Sequence, residues 1–215
     1  MNDLKARLRV ATADVHEKLH GHAGLAAVAS GTIGISDYRS LLSRLRGFHQ
    51  PFDALVAEAA RGELIAPGLG NRRRAAMIEA DLLTLGLSRA AIARLPICNS
   101  IYRPSSKPAF LGALYVIEGS TLGGAQLARA LAPLFDGARE GRRFFLGYGA
   151  NNGSMWRAFL EQLDVLSGDP GAEDEAIASA VATFNDFDAW INGWRAVDDM
   201  HSIPADALNS GAAAE

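Results

Sequence analysis

Glycines interrupt a segment that otherwise has the pattern of one long buried helix: Leu114 to Gly124 reads Leu-Tyr-Val-Ile-Glu-Gly-Ser-Thr-Leu-Gly-Gly. A glycine in a helix interior costs about 1 kcal/mol relative to alanine, so a contact elsewhere has to compensate. Gly112, Gly119 and Gly123 stand at i, i+7 and i+11, which places them on one face and leaves a strip of bare backbone. We therefore expect a flat, bulky group to lie against that strip.

Helical periodicity extends over the rest of the chain. Apolar residues recur at helical spacing from Leu4 to Leu19, which predicts a first helix over 3–20 that ends at Gly21. Further helices are predicted from Ser36 with a kink at Pro51, over 71–85 before Gly86, from Ser88 to just before Pro96, from about Ser105 through the glycines to Pro133, over 155–166, and over 171–200. Alternating β-branched stretches are absent from the sequence, so we predict an all-α fold.

The length of the chain, 215 residues, and the lack of a linker favour a single domain of several helices over residues 1–204. Hydrophobic residues make up 49% of the sequence, which is enough to bury a sizeable core. The segment 205–215 is small and polar with three consecutive alanines, and we expect it to be disordered.

Charge and composition exclude several classes of function. The net charge of −3 does not fit a nucleic-acid-binding protein, and we interpret the densest basic run, 72–74, as a solvated helix face. No apolar run is long enough for a membrane span, and the N-terminus lacks the apolar core of a signal peptide, so we expect a soluble, cytoplasmic protein. Cys98 is the only cysteine, so any iron bound by one chain has to be held by nitrogen or oxygen.

Histidines crowd the end of the first predicted helix. His16 and His20 stand at i and i+4, a spacing that can chelate one metal, although an isolated histidine on a helix is more often a surface residue. His16 lies on a polar flank beside the leucine stripe, and Arg9 lies about 10 Å away on the same flank. This distance is close to the span from the centre of a porphyrin to its propionate edge. A haem wall with His16 as axial ligand and Arg9 near a propionate is therefore physically sensible.

The opposite wall would be the bare backbone at Gly119 and Gly123. Tyr115 lies one turn before Gly119 on that face, where its hydroxyl could also reach a propionate. The alternative for Tyr115 is an aromatic residue that packs against a neighbouring helix.

Two motifs resemble signatures of a known family. Residues 8–16, Leu-Arg-Val-Ala-Thr-Ala-Asp-Val-His, resemble the proximal-helix signature of haem oxygenases. Residues 115–124, Tyr-Val-Ile-Glu-Gly-Ser-Thr-Leu-Gly-Gly, resemble the distal-helix signature of their bacterial branch, and the separation of about a hundred residues also fits. The overall likeness is greatest to the haem oxygenases that bacteria encode alongside phytochromes.

The resemblance implies a haem-oxygenase-like multi-helix fold and a set of site residues. It makes His16 the ligand of the haem iron and assigns Gly119, Ser120 and Gly123 to the catalytic distal side. The residues that it implies for haem binding are His16, Arg9, Tyr115, Gly119, Gly123, Gly124 and Arg157, with Arg9, Tyr115 and Arg157 near the propionates.

The sequence departs from the family pattern at two of these positions. Relatives of the mammalian type have an aspartate after the first distal glycine, where this chain has Ser120. We expect Ser120 to support an ordered-water network, as bacterial relatives also lack that aspartate. The mammalian type also has a glutamate four residues after the proximal histidine, where this chain has His20, so the group that orients the His16 imidazole stays open.

The implied activity is a haem oxygenase reaction, in which haem is both cofactor and substrate. Reductant and O₂ convert haem to biliverdin, carbon monoxide and ferrous iron. The sequence shows no flavin or nicotinamide site, so the electrons are expected from an external reductase or ferredoxin. A phytochrome is the implied recipient of biliverdin.

Four alternatives remain open from the sequence. A carrier or sensor of the same fold would bind haem without degrading it. A thiaminase-like hydrolase needs a nucleophilic cysteine, and Cys98 lies in a predicted loop. A di-iron oxidase needs repeated carboxylate and histidine ligands, which the sequence does not show at helical spacing. A structural helical protein could use the glycines for close helix packing alone.

Overall fold

The computed structural model describes residues 4–195, which form α-helices, short 3₁₀ turns and connections without a β-strand. The all-α prediction is thereby confirmed for this range, and the expected tail, 205–215, lies outside the described residues. The α-helices are α1 (Leu4–Ala11), α2 (Ala13–His20), α3 (Ala23–Ala29), α4 (Ile35–Arg61), α5 (Pro67–Gly70), α6 (Arg74–Thr84), α7 (Arg89–Ala93), α8 (Lys107–Ala130), α9 (Arg143–Leu146), α10 (Asn152–Leu163) and α11 (Pro170–Ile191). None of these helices is both long and apolar enough to cross a lipid bilayer.

Helices α8 and α11 form the central pair, with more extensive contact than any other two helices of the described range. Their close approach depends on Gly112, where an added Cβ would lie only 1.9 Å from the carbonyl oxygen of Ala176. The hydroxyl of Ser179 also donates a hydrogen bond to the carbonyl of Ala109 at 2.5 Å. Helices α1 and α2 pack on α11, whereas α10 packs on α8. The central pair therefore connects the first two helices, which carry Arg9 and His16, to α10, which carries Arg157.

Helix α4 continues through Pro51 to Arg61, as the sequence predicted for the residues after the proline, and the kink itself stays a prediction. Proline lacks the N–H that would bond to the carbonyl of residue 47 in a regular helix. Here the backbone N–H of Cys98 donates to the Gly47 oxygen at 2.9 Å and satisfies that carbonyl. The helix also begins earlier than predicted, with Gly34 rather than Ser36 as its N-cap.

Other helix boundaries also differ from the prediction. The first helix is interrupted at Thr12, the third begins at Arg74 rather than 71, and the last ends at Ile191 rather than near 200. The short helix α3 was not predicted, and it depends on His22, whose Nδ1 accepts from the Leu25 amide at 3.3 Å. Such caps and tertiary contacts leave little trace in hydrophobic periodicity.

Candidate functional site

His16 lies on α2 and is exposed to solvent. Its ring meets Phe184 of α11 edge to face, with centroids 6.2 Å apart, and meets His20 at 4.9 Å. Partial burial of the imidazole lowers the pKa of His16 below its ordinary value of 6.5. Charge on His20 lowers this pKa further, while Glu17 opposes the shift. At neutral pH the imidazole is uncharged, which is the form that binds a metal.

Arg9 lies in the last turn of α1, exposed to solvent. Backbone hydrogen bonds continue across the interruption at Thr12, since its N–H donates to Leu8 and the N–H of His16 donates to Thr12, both at 3.0 Å. Helices α1 and α2 therefore form one bent helix that carries Arg9 and His16. Within residues 4–195 the guanidinium of Arg9 forms no ion pair and is available to an external anion.

The glycines of α8 have different surroundings, which corrects the expectation of one flat group along the whole strip. Gly112 lies against the backbone of Ala176, so its absence of a side chain serves helix packing. An added Cβ at Gly119 would meet only the ring of Trp156, at 3.7 Å, and one at Gly123 would have nothing within 4 Å. Only the second half of the strip is open.

Gly124 faces a different neighbour from the open glycines. An added Cβ there would lie 2.8 Å from the carbonyl oxygen of Phe145, so the contact between α8 and α9 requires this glycine. Its expected role in cofactor binding stays a prediction, because packing alone already explains the residue. Ser120 is exposed beside Gly119, and its hydroxyl donates to the Ile117 carbonyl at 2.7 Å.

Aromatic side chains border the open glycines. Tyr115 is half-buried with its ring 5.6 Å from that of Trp156, and Trp156 in turn stacks on Phe159 at 5.4 Å. Trp156 thus links Tyr115 to Gly119, and this contact matches the packing alternative for Tyr115. Arg157 follows on α10 and is exposed. Its expected contact with a propionate, like that of Tyr115, stays a prediction.

The arrangement brings some predicted site residues together and keeps others apart. His16 shares a bent helix with Arg9, and Gly119 shares an aromatic contact with Tyr115. His16 makes no contact with the open glycines, since nothing but Trp156 lies within 4 Å of an added Cβ at Gly119. The two groups are connected through α11, which contacts His16 through Phe184.

A buried polar cluster next to the glycines was missed by the sequence analysis. Arg72 donates to the carboxylate of Glu118 at 2.6 Å, and their side chains are 7% and 1% exposed. The hydroxyl of Tyr148 donates to the same carboxylate at 3.1 Å. A lone glutamate in the apolar run of α8 was the available signal, because a buried carboxylate requires a cation or several donors.

The interpretation of 72–74 as a solvated face was consequently wrong for two of its three arginines. Arg72 is paired with Glu118, and Arg74 is 2% exposed with a hydrogen bond to the Phe144 carbonyl at 3.0 Å. Only Arg73 is exposed. Both exceptions depend on partners far away in sequence.

Comparisons with known proteins agree with this fold. The family model described as "Heme oxygenase" matches residues 2–193. A protein named "Heme oxygenase" from Xanthomonas campestris pv. campestris (strain 8004) is 32% identical over 167 residues, covering 75% of this chain and 92% of that protein.

Two solved structures also resemble this chain in fold. The NO- and CO-bound heme oxygenase from Neisseria meningitidis has a TM-score of 0.69 at 26% identity, with 96% of each chain covered. A domain of unknown function with a heme oxygenase-like fold from Shewanella denitrificans OS217 has a TM-score of 0.70 at 13% identity, covering 99% of this chain and 97% of that one. The second likeness shows the fold alone.

Proposed function

The chain belongs to the haem oxygenase family, and we propose that it cleaves haem between the bent α1–α2 helix and the open glycines of α8. It is a haem-degrading enzyme with haem as both substrate and cofactor. The place of the haem and the roles of single residues are our proposal. The observation that supports them best is the open backbone at Gly119 and Gly123 together with an uncharged, exposed His16.

The residues present fit a porphyrin better than a free metal ion. Among residues 4–195 no group of three or more histidine, cysteine, aspartate or glutamate side chains is placed to hold a metal. One histidine is a sufficient protein ligand when a macrocycle supplies the other four. The bare backbone at Gly123 also leaves room for a flat ring, since a Cβ there would stand in open space.

Each residue then has a definite task. His16 would bind the iron through its neutral imidazole, and Arg9, Arg157 and Tyr115 would hold the propionates and so set the rotation of the ring. Bound haem supplies the iron at which O₂ is activated and the ring that is opened. The bare backbone of Gly119 and Gly123 leaves room above the ring. The Ser120 hydroxyl, whose proton goes to the Ile117 carbonyl, would accept a hydrogen bond from ordered water.

Co-substrates and partners complete the proposal. The reaction would consume O₂ and electrons from an external reductase or ferredoxin, and would release biliverdin, carbon monoxide and ferrous iron. Supply of biliverdin to a phytochrome follows from the overall likeness to the haem oxygenases encoded alongside phytochromes, and a cytoplasmic location is the expectation from the sequence. Both remain predictions.

The alternative functions have less support. No observation favours a haem carrier, since the distal segment offers glycines rather than a second ligand. Cys98 is 2% exposed, which does not suit the nucleophile of a hydrolase. A di-iron centre would need a carboxylate and histidine cluster, and the described residues contain none.

The test of the proposal is hemin titration of the protein followed by a reductant under air. We expect a histidine-ligated spectrum that decays to a bile pigment, with carbon monoxide and chelatable ferrous iron released. An anaerobic sample is the control and should remain stable. A haem spectrum that persists under air with reductant would contradict the enzyme and favour the carrier.

A further inference from the structure

Glu118 directly precedes Gly119 on α8, yet its side chain is almost completely buried. The Arg72 guanidinium donates to it at 2.6 Å and the Tyr148 hydroxyl at 3.1 Å. Burial raises the pKa of Tyr148 above its ordinary value, and the charge of Glu118 raises it further, so the phenol stays protonated as a donor. If either donor were lost, the buried charge of the carboxylate would be left without full compensation, which is costly. The carboxylate is therefore held where both donors reach it.

Arg72 makes a second contact from the same nitrogen. It donates to the carbonyl of Met155 on α10 at 3.2 Å. Met155 directly precedes Trp156, whose ring lies over Gly119. One guanidinium therefore holds both the residue before Gly119 and the residue before Trp156.

We propose that Glu118 is a positioning residue which, through Arg72 and Tyr148, sets how closely Trp156 lies over Gly119 and thereby decides which edge of the haem is opened. The proposal rests on the proposed haem site. It extends that site to residues that lie behind the distal helix, away from the substrate. The contact with Glu118 is a charge-assisted, directional hydrogen bond, so it helps to fix α8 and α10 at one spacing. The room above the ring beside Gly119 depends on that spacing.

The experiment uses the full chain with tryptophan replaced by 5-fluorotryptophan. The ¹⁹F signal of Trp156 is assigned by the Trp156→Phe variant and reports the environment above Gly119 without haem. The test variants are Glu118→Gln and Tyr148→Phe. The matched control is Glu173→Gln, because Glu173 is also a buried glutamate, 8% exposed, with an arginine partner, Arg7, at 2.6 Å.

We expect both test variants to shift or broaden the Trp156 signal, while those of Trp190 and Trp194 stay in place. After hemin loading and turnover, both should give a biliverdin isomer distribution different from that of the wild type. Glu173→Gln should lose stability but keep the wild-type Trp156 signal and isomers. If Glu118→Gln fails to fold, Tyr148→Phe decides the matter, because it removes one hydrogen bond and leaves the ion pair.

An unmoved Trp156 signal in the folded test variants would overturn the proposal. A moved signal with an unchanged isomer distribution would also overturn it, since the position of Trp156 would then have no effect on which edge of the haem is opened. So would an equal shift in Glu173→Gln. Absence of any bile pigment from the wild type would instead contradict the proposed function, and the fluorine spectra would still report whether Glu118 positions Trp156.

Discussion

The rings of His16 and His20 lie edge to face with centroids 4.9 Å apart on one side of α2. The proposed iron ligand thus has an imidazole as neighbour at a position where mammalian-type relatives have a glutamate. Charge on the His20 imidazole would disfavour protonation of His16 at this distance, which contributes to the lowered pKa of His16.

The first prediction concerns the pH dependence of haem binding. Protons compete with iron for His16, so hemin affinity should fall about tenfold per pH unit below the pKa of His16. In His20→Ala this loss should begin at a higher pH, because removal of His20 raises the pKa of His16. Partial burial should still hold it below 6.5. NMR titration of the His16 ring in the haem-free protein measures the shift directly, and an unchanged or lowered pKa in His20→Ala would contradict the coupling.

The second prediction separates the two kinds of glycine on α8. Gly123→Ala should raise the free energy of unfolding by up to about 1 kcal/mol, because the new methyl group meets nothing within 4 Å and alanine favours the helix. Gly112→Ala should lower it by about 1–3 kcal/mol or more, because its Cβ would overlap the backbone at Ala176. Urea unfolding of the haem-free variants measures both changes.

The same glycines should differ in their effect on turnover. Gly123→Leu is expected to fold and to lose or redirect haem cleavage, since its side chain would occupy the proposed haem face. Biliverdin yield and isomer analysis provide the measurement. Wild-type yield and isomers from folded Gly123→Leu would show that the open strip is not a haem wall.

The third prediction concerns two titratable groups on α4 with opposite pH dependence, the buried His49 and the half-buried Asp53. Burial lowers the pKa of His49 to about 3 from 6.5, and burial raises that of Asp53 to about 7 from 3.8. As pH falls below 6.5, the unfolded chain takes up a proton at His49 that the folded chain refuses, so stability falls. As pH rises above 3.8, the unfolded chain ionises Asp53 while the folded chain keeps it protonated, so stability also falls.

Between about pH 4 and 6.5 these two slopes, each about 1.4 kcal/mol per pH unit, should largely cancel in the wild type. Asp53→Asn should make stability rise with pH more steeply than in the wild type, and His49→Gln should make it fall. Urea unfolding of the haem-free protein at several pH values measures these differences. Parallel pH profiles for the wild type and both variants would contradict the assignment.

The sequence predicted those features whose causes are local. The serine caps before α7 and α8 belong to this class, since Ser88 and Ser106 each accept from an amide three residues later. For α8 the sequence predicted a start at about Ser105, one residue from the observed cap, Ser106. The proximal and distal motifs also gave the family, because each is a contiguous segment.

Features that depend on distant partners could not be predicted. The carbonyl that Pro51 leaves free in α4 is satisfied by the amide of Cys98. Arg72 is buried because Glu118 lies opposite it, and Gly112 serves packing because α11 crosses there. Periodicity shows which face of a helix is buried, but it does not show which residue covers it.

The central claim is that His16 binds the haem iron. Its most direct test is resonance Raman spectroscopy of the ferrous haem complexes of the wild type and of His16→Ala. We predict an iron–histidine stretching band in the wild type and its absence from His16→Ala. Added imidazole should restore both an iron–imidazole band and haem cleavage in the variant. His20→Ala is the matched control and should keep the band. An unchanged band in His16→Ala would show that another residue binds the iron and would contradict the account of the site.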